Sequence, residues 1–524
     1  MSPPGDGNAG APPWWRAGVL YQIYPRSFAD ATGNGHGDLV GLIEHLDHLA
    51  WLGVDGIWLS PITTSPQADW GYDVADYVDV DPDFGTLEDL DRLVAESRSR
   101  GIRVLMDLVP NHTSDRHRWF VDARSSRDAA HRDWYVWADG RDGGPPNNWR
   151  SPFGGSAWEW DEATGQYYLH NFLDRQPDLN WWNPAVRDAF DEIVRFWFDR
   201  GIAGFRIDVA HALVKDELLR DDTVAIESDP PSVRAHGLRA DFSMNRPEGH
   251  DVLRRWRAIA DTYDPNRVLL GETYVWDLEA MARFYGGGAD ELHLALNVPF
   301  LHASIGPEMR EVVSRTTALL PAGAWALWAG SNHDAGRFPT RWCDGDERRV
   351  RAALVMLLTL RGTPLLYYGD EIGMPDVPIP RDRVRDPVGR DGCRTPMQWT
   401  AEGGFTSDGV EPWLPIGDAA TRNVAAQHED PTSILHLCRD LIALRRARAE
   451  LHAGDAAPVE APDDVWAWRR GERIVVALNH GDADAAFPAA GTVLIGTDRG
   501  RDGQAVDGEL ALEPWEAVVL ETTD

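Results

Sequence analysis

The segment Gly204-Phe-Arg-Ile-Asp-Val-Ala-His211 is apolar and short enough to be one buried strand, yet it carries two opposite charges. Arg206 and Asp208 are two residues apart, so in a strand they point to the same face. Charged side chains are seldom buried unless they are paired. The spacing predicts an ion pair at the end of the strand, in which Arg206 lowers the pKa of Asp208 and keeps it ionised. A structural salt bridge in the core is the alternative interpretation.

Strand and helix patterns alternate on both sides of this segment. Apolar or β-branched runs are typical of strands, and a 3.6-residue period is typical of amphipathic helices. Strands are predicted over residues 19–24, 56–59, 102–108, 202–208, 267–272, 292–298, 324–331 and 364–368. Helices are predicted over residues 39–52, 87–100, 186–200, 252–263, 307–319, 348–360 and 433–447. This alternation predicts an α/β fold, a (β/α)8 TIM barrel.

Two regions depart from the alternation and divide the chain into domains. Residues 110–180 are irregular and rich in Trp, Asp, Arg and Gly, which predicts a domain inserted after the third strand, domain B. Residues 456–524 carry short alternating runs split by Gly and Asp, which predict a C-terminal antiparallel β-sandwich, domain C. The barrel then takes residues 14–109 and 181–455, and the Gly/Pro/Ala-rich residues 1–13 form a flexible leader.

The composition narrows the class of partner. A formal net charge of −33 argues against nucleic acid and anionic membranes, which both need positive patches. The 24 Trp residues fit a sugar-binding cleft, although most of them must serve the core. Three cysteines without close spacing indicate no zinc site and no disulfide framework. We see no signal peptide and no apolar run of membrane-spanning length, which predicts a cytoplasmic protein, either a monomer or a homo-oligomer.

Polar side chains gather at the carboxyl ends of four predicted strands. Active sites of this fold lie at that end of the barrel. Chance placement of polar residues would not concentrate three spare carboxylates, an arginine and two histidines on one rim. The carboxylates are Asp208, Glu272 and Asp334, the other residues are Arg206, His112 and His333, and Asp107 is a further carboxylate on the third of these strands.

Carboxylates on one rim fit the cleavage of a glycosidic bond, in which one attacks the anomeric carbon and another protonates the leaving oxygen. Asp208, beside Arg206, suits the nucleophile. Glu272 follows an apolar strand without a cation adjacent in sequence, so burial is expected to raise its pKa, as a general acid requires. Asp334 is a third carboxylate that can stabilise an oxocarbenium-like centre.

A glycine-rich loop near the N-terminus is a candidate cation site. Asp30, Thr32, Asn34 and Asp38 can supply side-chain oxygens, and His36 can supply its carbonyl, as Ca²⁺ or Mg²⁺ prefers. The alternative is a Gly-rich turn closed by Asx caps. No cofactor is needed for the chemistry itself.

The four strand ends resemble the four signature regions of glycoside hydrolase family 13, the α-amylase family. The resemblance covers nearly the whole chain, including domains B and C. It implies that Asp208 is the nucleophile, Glu272 the acid/base and Asp334 the transition-state stabiliser of a retaining mechanism. It also implies that His112, Arg206 and His333 line the subsite that holds the cleaved sugar, and that Asp107 is the supporting carboxylate beside them.

Three further motifs resemble the oligo-1,6-glucosidase subfamily. They are Gln176-Pro-Asp-Leu-Asn180, Trp70-Gly-Tyr-Asp73 and Gly389-Arg-Asp-Gly-Cys-Arg-Thr-Pro-Met-Gln-Trp399. The resemblance implies that Tyr72 stacks on the terminal glucose, that Asp73 binds its far hydroxyls, and that Arg390 pairs with Asp73 and closes the pocket. A closed pocket implies exo-action.

The residues after Asp208 bear on the linkage. Val209 resembles the α-1,6 type of the subfamily, whereas the segment Ala210-His-Ala-Leu-Val-Lys215 resembles actinobacterial-type α-glucosidases that accept maltose. His211 is a candidate for the neighbouring sugar site, or else an ordinary helix-start residue. Both linkages therefore stay open.

The predicted function is a retaining exo-α-glucosidase that acts on short maltose- or isomaltose-type oligosaccharides, with some transglucosylation. A sucrose isomerase, trehalose synthase or other transglucosylase on the same scaffold is the main alternative. A non-catalytic binding homologue and a polymer-degrading α-amylase are the others; the intact carboxylates disfavour the first, and the pocket motif disfavours the second.

Overall fold

The computed structural model describes residues 12–523. Residues 1–11 of the predicted leader therefore lie outside the described residues. Its centre is a sheet of eight strands whose pairs are all parallel. The strands are Leu20–Ile23, Gly56–Leu59, Arg103–Leu108, Gly204–Ile207, Val268–Gly271, Leu294–Ala295, Leu327–Ala329 and Thr363–Tyr367. Neighbours follow in sequence order, and the first strand also pairs with the eighth. The predicted (β/α)8 barrel is confirmed.

The register of three neighbouring strands places the functional residues side by side. Asp107 on the third strand is the register partner of Arg206 on the fourth, and Arg206 is the partner of Leu270 on the fifth. Because parallel strands present their carboxyl ends at one edge, Asp208 and Glu272 emerge next to each other there.

Helices surround the sheet and bury their apolar faces against it. Helix Pro184–Asp199, which precedes the fourth strand, begins with an Asn183 cap and buries Phe190, Val194 and Trp197. The described helices are Trp14–Ala17, Leu39–Glu44, Leu46–Leu52, Leu87–Ser99, Arg118–Ala123, Pro184–Asp199, Pro231–His236, Gly249–Ala260, Leu278–Arg283, Val298–His302, Pro307–Leu319, Phe338–Arg341, Glu347–Thr359, Val424–Glu429, Ile434–Ala447 and Ala449–His452. The single helix predicted over residues 39–52 is in fact two, divided at His45.

Smaller sheets lie outside the barrel. A two-stranded sheet, Thr63–Thr64 with Asp76–Val80, follows the second barrel strand. Between the third and fourth barrel strands lies an antiparallel sheet of three strands, Trp137–Ala138, Trp158–Asp161 and Gln166–Leu169. It lies within the predicted insertion.

The C-terminal region is an antiparallel sheet of six strands packed against one of two strands. The first contains Ala456–Val459, Val465–Arg470, Ile474–Asn479, Gly491–Gly496, Ala505–Val506 and Ala517–Thr522, and the second Ala485–Pro488 and Glu509–Leu512. Both contribute to one apolar cluster, which includes Val475, Phe487 and Leu510. The predicted antiparallel C-terminal β structure is confirmed. The sequence pattern did not indicate three of its short strands, Ala456–Val459, Ala485–Pro488 and Ala505–Val506.

Two buried arginines cap the helix Glu347–Thr359 where it meets the C-terminal sheet. Arg445 and Arg470 are 1% and 0% exposed. Arg445 donates to the carbonyls of Leu358 and Gly362 at 3.2 and 2.6 Å, and Arg470 donates to that of Thr359. The last carbonyls of a helix have no partner within it, and cations favour that end of the helix dipole. Charged caps thus join the barrel to the C-terminal sheet.

Within residues 12–523, none of the helices combines the length and the apolar character that crossing a bilayer requires.

Candidate active site

Arg206 is the centre of the charged cluster at the carboxyl edge of the barrel. Its Nη1 lies 2.9 Å from Oδ1 of Asp107 and 2.6 Å from Oδ1 of Asp208, and its Nη2 lies 2.8 Å from Oε2 of Glu272. The predicted pair of Arg206 and Asp208 is therefore formed. The expectation that Glu272 has no cation beside it holds only along the sequence, because Arg206 reaches it from the neighbouring strand.

Three carboxylates share this one guanidinium, and burial dominates the protonation of two of them, Asp107 and Asp208. Burial raises the pKa of Asp107 to about 7 and raises that of Asp208 well above its usual range, while Arg206 opposes both shifts. Arg206 does lower the pKa of Asp208, as expected, but the expectation that this contribution decides the net shift is wrong, because the net pKa is raised. The reason is that desolvation and two neighbouring carboxylates outweigh one cation. Buried carboxyl groups this close together retain a proton more readily than isolated ones. Catalysis by one ionised and one protonated carboxyl group requires such a retained proton.

Val209 connects the two strand ends through a strained backbone. Its φ is 35°, a left-handed conformation that is rare for a β-branched residue. In this conformation its backbone N–H donates to Oε2 of Glu272 at 2.9 Å. The strain thus fixes the orientation of the Glu272 carboxylate relative to the strand that carries Asp208.

Asp334 lies in a second cationic environment. Arg390 Nη1 and Arg394 Nη2 donate to its Oδ1 at 3.0 and 3.1 Å, and His333 Nε2 lies 3.1 Å from its Oδ2. Burial acts to raise the pKa of Asp334, but His333, Arg390 and Arg394 together lower it well below the usual range. Asp334 is therefore held as an anion, the form that can stabilise positive charge. The sequence analysis did not single out Arg394, although it lies in the motif quoted around Arg390.

The predicted pair of Asp73 and Arg390 is wrong. Arg390 Nη2 donates to Oδ1 of Asp69 at 2.7 Å. Asp73 is fully buried and accepts the backbone N–H groups of Ala68 and Asp69 and the hydroxyl of Ser65, all at 2.9 Å. Asp73 thus shapes the turn that carries Asp69, and Asp69 is the carboxylate at the pocket. The two aspartates are in the same short motif, so the pattern indicated the loop but not the residue.

The remaining predicted residues form the inner and lateral walls of the site. Tyr72 and His333 lie ring to ring, with centroids 5.3 Å apart and planes at 1°. The hydroxyl of Tyr72 also donates to Asp107 at 3.1 Å. His112 lines the pocket, and its Nε2 lies 3.0 Å from the carbonyl oxygen of Tyr72. His211 lines the pocket on the side of Glu272, with its Nδ1 3.3 Å from the backbone nitrogen of Tyr274.

These residues surround a cavity of about 1720 Å³. The inner lining includes Asp69, Tyr72, His112, Asp208, Val209, His211, Glu272, Asp334 and Arg390. Asp73, Arg206 and His333 are not among the lining residues and lie behind this surface. The outer wall comes from a loop of the insertion, including Phe153, and from the segment after the fourth strand, including Leu238. Tyr274, two residues after Glu272, is 41% exposed and adds an aromatic face that the sequence analysis missed.

The predicted cation loop has its oxygens engaged in hydrogen bonds. Asp30 accepts three backbone N–H groups of the loop at 2.7 to 3.4 Å. Asp38 accepts two more at 3.0 and 3.1 Å and caps the helix that follows it at 2.6 Å. Thr32 donates its hydroxyl to Asp30, and the Asn34 side chain accepts the backbone N–H of His36. The oxygens therefore face donors rather than one shared position, which fits the Asx-capped turn and does not fit a cation.

Elsewhere, no group of three or more His, Cys, Asp or Glu side chains in the described part of the chain is arranged to hold a metal ion.

Comparison with known proteins agrees with this geometry. Residues 22–454 match the alpha amylase catalytic domain family. A probable alpha-glucosidase of Rhizobium meliloti (strain 1021) is 44% identical over 502 residues, covering 90% of each chain. An oligo-1,6-glucosidase of Parageobacillus thermoglucosidasius is 35% identical over 563 residues, covering 97% of this chain and 98% of the relative. The crystal structure of an alpha-glucosyl transfer enzyme, XgtA, matches with a TM-score of 0.90 and 38% identity over 98% of this chain and 100% of that one. This chain belongs to the alpha-amylase family, glycoside hydrolase family 13.

Proposed function

We propose that this protein is a retaining, exo-acting α-glucosidase that releases glucose from the non-reducing end of short α-glucosides. The observation that carries the proposal is the bridge made by Arg390, which donates to both Asp69 and Asp334. This bridge closes one end of the cavity with fixed charges, beside the carboxylates on Arg206. A closed end admits the terminus of a chain but not its middle, which supports exo-action on oligosaccharides over endo-action on a polymer.

The mechanism uses only side chains of this chain. A carboxylate oxygen of Asp208 attacks the anomeric carbon of the bound glucose, and Glu272 gives its proton to the leaving oxygen as the glycosidic bond breaks. Asp334, held as an anion, stabilises the positive charge that develops on the sugar. Glu272 then removes a proton from a water molecule, which attacks the glycosyl-enzyme and releases α-glucose. Two successive inversions give net retention.

The substrate class is short glucosides of the maltose and isomaltose type, which the similarity to an alpha-glucosidase and an oligo-1,6-glucosidase supports. We propose that Val209 and His211 meet the second sugar, since both line the cavity next to Glu272. Residues 110–180 are proposed to be the domain that supplies part of the outer wall, through the loop that includes Phe153. In a transglucosylase, the glucosyl group of the same intermediate passes to a sugar hydroxyl instead of water. The similarity to an alpha-glucosyl transfer enzyme supports this activity as the second candidate.

A product profile tests the function and separates the candidates. The protein is incubated with equimolar maltose and isomaltose, and in parallel with sucrose and with starch, and every sugar is quantified over time. We expect glucose to appear first in the α form, faster from one disaccharide than from the other, and with little product from starch. The Asp208→Asn variant under the same conditions shows how much of any signal is contamination.

Other profiles would contradict the proposal in distinct ways. New di- or trisaccharides without matching glucose would make the protein a transglucosylase, and an isomer of sucrose would make it an isomerase. Internal cleavage of starch would contradict exo-action. No reaction on any of these substrates would favour the non-catalytic reading.

A further inference from the structure

Lys215 is a buried lysine behind the pocket that the mechanism above does not use. Its side chain is 3% exposed. Its ammonium group donates to Oδ1 of Asn111 and to the carbonyl oxygens of Ala212 and Leu213 at 2.6 and 3.4 Å, and it forms an ion pair with Oδ2 of Asp178 at 2.7 Å. An ammonium group has three donors and no acceptor, so all three of its hydrogens are accounted for.

This contact fixes which way the side-chain amide of Asn111 points. Because Lys215 can only donate, the atom of Asn111 that faces it must be the oxygen. The amide nitrogen Nδ2 of Asn111 then faces His112, at 3.1 Å from its Nδ1. An amide nitrogen only donates, so Nδ1 of His112 must accept and carries no proton. The proton of the neutral ring is therefore on Nε2.

The other side of the ring gives an independent indication of the same tautomer. Nε2 of His112 lies 3.0 Å from the backbone carbonyl oxygen of Tyr72, which only accepts. Burial lowers the pKa of His112, which keeps the ring neutral; Asp178, Asp69 and Lys215 are the charged groups that face it. Asn111 and the carbonyl of Tyr72 thus both indicate a proton at Nε2, whereas the side-chain nitrogen of Gln176, 3.1 Å from Nε2, faces it as a second donor.

The tautomer of His112 with its proton on Nδ1 could also form hydrogen bonds with its neighbours, so the site must favour one tautomer over the other. If the amide of Asn111 turned over, its oxygen would accept a proton from Nδ1. Nε2 would then accept from the side-chain nitrogen of Gln176, 3.1 Å away, which also donates to Asp69 at 3.1 Å. What opposes this arrangement is Lys215, whose ammonium group would face the amide nitrogen of Asn111, donor against donor.

We propose that Lys215 is a positioning residue that selects, through Asn111, the tautomer of His112 that carries its proton on Nε2. Nε2 lies 3.1 Å from the side-chain nitrogen of Gln176, which donates to Asp69, and both Asp69 and His112 line the pocket. In this tautomer the one N–H of His112 is at Nε2, so a hydroxyl oxygen of the substrate meets a donor that it shares with the carbonyl oxygen of Tyr72, and not an acceptor. Asp178, from the motif Gln176-Pro-Asp-Leu-Asn180, holds Lys215 in place. The identity of that substrate as glucose rests on the proposed function; the tautomer does not.

The test is ¹⁵N NMR of the full-length protein labelled at histidine. The chain has 17 His, so the His112 signals are assigned by difference from a His112→Gln sample. The wild type is expected to show a protonated Nε2 and an unprotonated Nδ1. A wild-type ring protonated on Nδ1 would overturn the proposal.

Asn111→Asp is the decisive variant, because a carboxylate offers an acceptor to both neighbours. Lys215 keeps its partner, but Nδ1 of His112 now faces an acceptor, so we expect a proton on Nδ1. If Asn111→Asp leaves His112 with Nδ1 unprotonated, the contacts from Lys215 through residue 111 do not determine the tautomer, and the proposal is wrong.

Lys215→Met, made together with Asp178→Asn so that no buried charge is left unpaired, tests the lysine itself. We expect the Nε2-only pattern to be lost and kcat/KM on a cleaved disaccharide to fall about three- to tenfold, the effect of one neutral hydrogen bond. A purely structural lysine would lower the melting temperature and leave the His112 signals unchanged, which would overturn the proposal. An inactive wild type with a protonated Nε2 would instead refute the proposed function alone.

Discussion

The Nη2 atom of Arg206 lies 2.8 Å from the Oε2 atom of Glu272, although the two residues are on different strands. The same guanidinium also contacts Asp208 at 2.6 Å. One rigid cation therefore sets the relative position of the two groups to which we assign attack and proton transfer. Because a guanidinium is planar and offers donors in a fixed fork, this arrangement depends on arginine and not on positive charge alone.

Asp208→Asn removes the proposed nucleophile while leaving the size of the side chain unchanged. We expect kcat to fall by about 10⁴-fold or more, because no covalent intermediate can form. The measurement is hydrolysis of an aryl α-glucoside. Asp91→Asn is the matched control, since Asp91 lies on the surface and contacts Arg200. Substantial residual activity in Asp208→Asn would show that another group attacks.

Glu272→Gln removes the proposed proton donor. Substrates with poor leaving groups need protonation of the leaving oxygen, whereas activated aryl glucosides do not. We expect kcat/KM to fall by about 10²–10⁴-fold on a disaccharide and far less on a dinitrophenyl glucoside. The paired kinetics on both substrates measure this difference. Equal losses would remove Glu272 from the acid role.

Asp69 and Asp73 separate recognition from support of the loop. Asp69→Asn weakens the bond with Arg390 at the pocket, so kcat/KM should fall about 10- to 100-fold, the range for a hydrogen bond between charged groups. Its melting temperature should change little. Asp73→Asn removes an acceptor of buried backbone N–H groups and should lower the melting temperature. Kinetics and thermal unfolding of both variants check the assignment; the reverse pattern would restore Asp73 as the pocket residue.

Asp370 gives the stability a defined pH dependence. It is fully buried, accepts from Ser331 and the backbone of Tyr367, and burial raises its pKa to about 7. The pKa of an unfolded aspartate is about 3.9. Because the folded value is raised, this contribution is fully present below about pH 4 and is lost as the pH rises through 7.

Asp370→Asn should remove that contribution to the pH dependence. The free energy of unfolding of the variant minus that of the wild type should rise by about 4 kcal/mol between pH 4 and pH 8. Urea unfolding at several pH values measures it. A difference that stays flat across this range would mean that Asp370 is ionised in the folded protein.

The loop from Asp30 to Asp38 is expected to be independent of divalent ions. Its carboxylates are hydrogen-bonded to backbone amides, so removal of metal should leave the melting temperature unchanged. Thermal unfolding with and without a chelator, together with metal analysis of the purified protein, tests this. A melting temperature that falls on chelation and is restored by Ca²⁺ or Mg²⁺ would establish a bound ion.

Much of the architecture could be predicted because it depends on local patterns. The period of the apolar residues indicated strand or helix along the chain, and a (β/α)8 barrel places its strand ends on one rim. The helix predicted over residues 307–319 has the observed bounds, Pro307–Leu319. The break at His45 was missed because the apolar period continues through it. The strand Ala456–Val459 was missed because most of it is exposed and shows no alternation.

The sequence by itself determined the barrel and the set of carboxylates at its rim, since burial patterns and strand ends are local properties of the chain. The tertiary structure alone decided which groups meet. Asp69 and Asp73 are separated by three residues, of which Trp70 and Gly71 have positive φ, and that turn places one carboxylate against Arg390 and the other within the loop. The net pKa shift of Asp208 likewise depends on desolvation and on carboxylates from other strands. Neither the burial nor these contacts can be inferred from the spacing of residues along the chain.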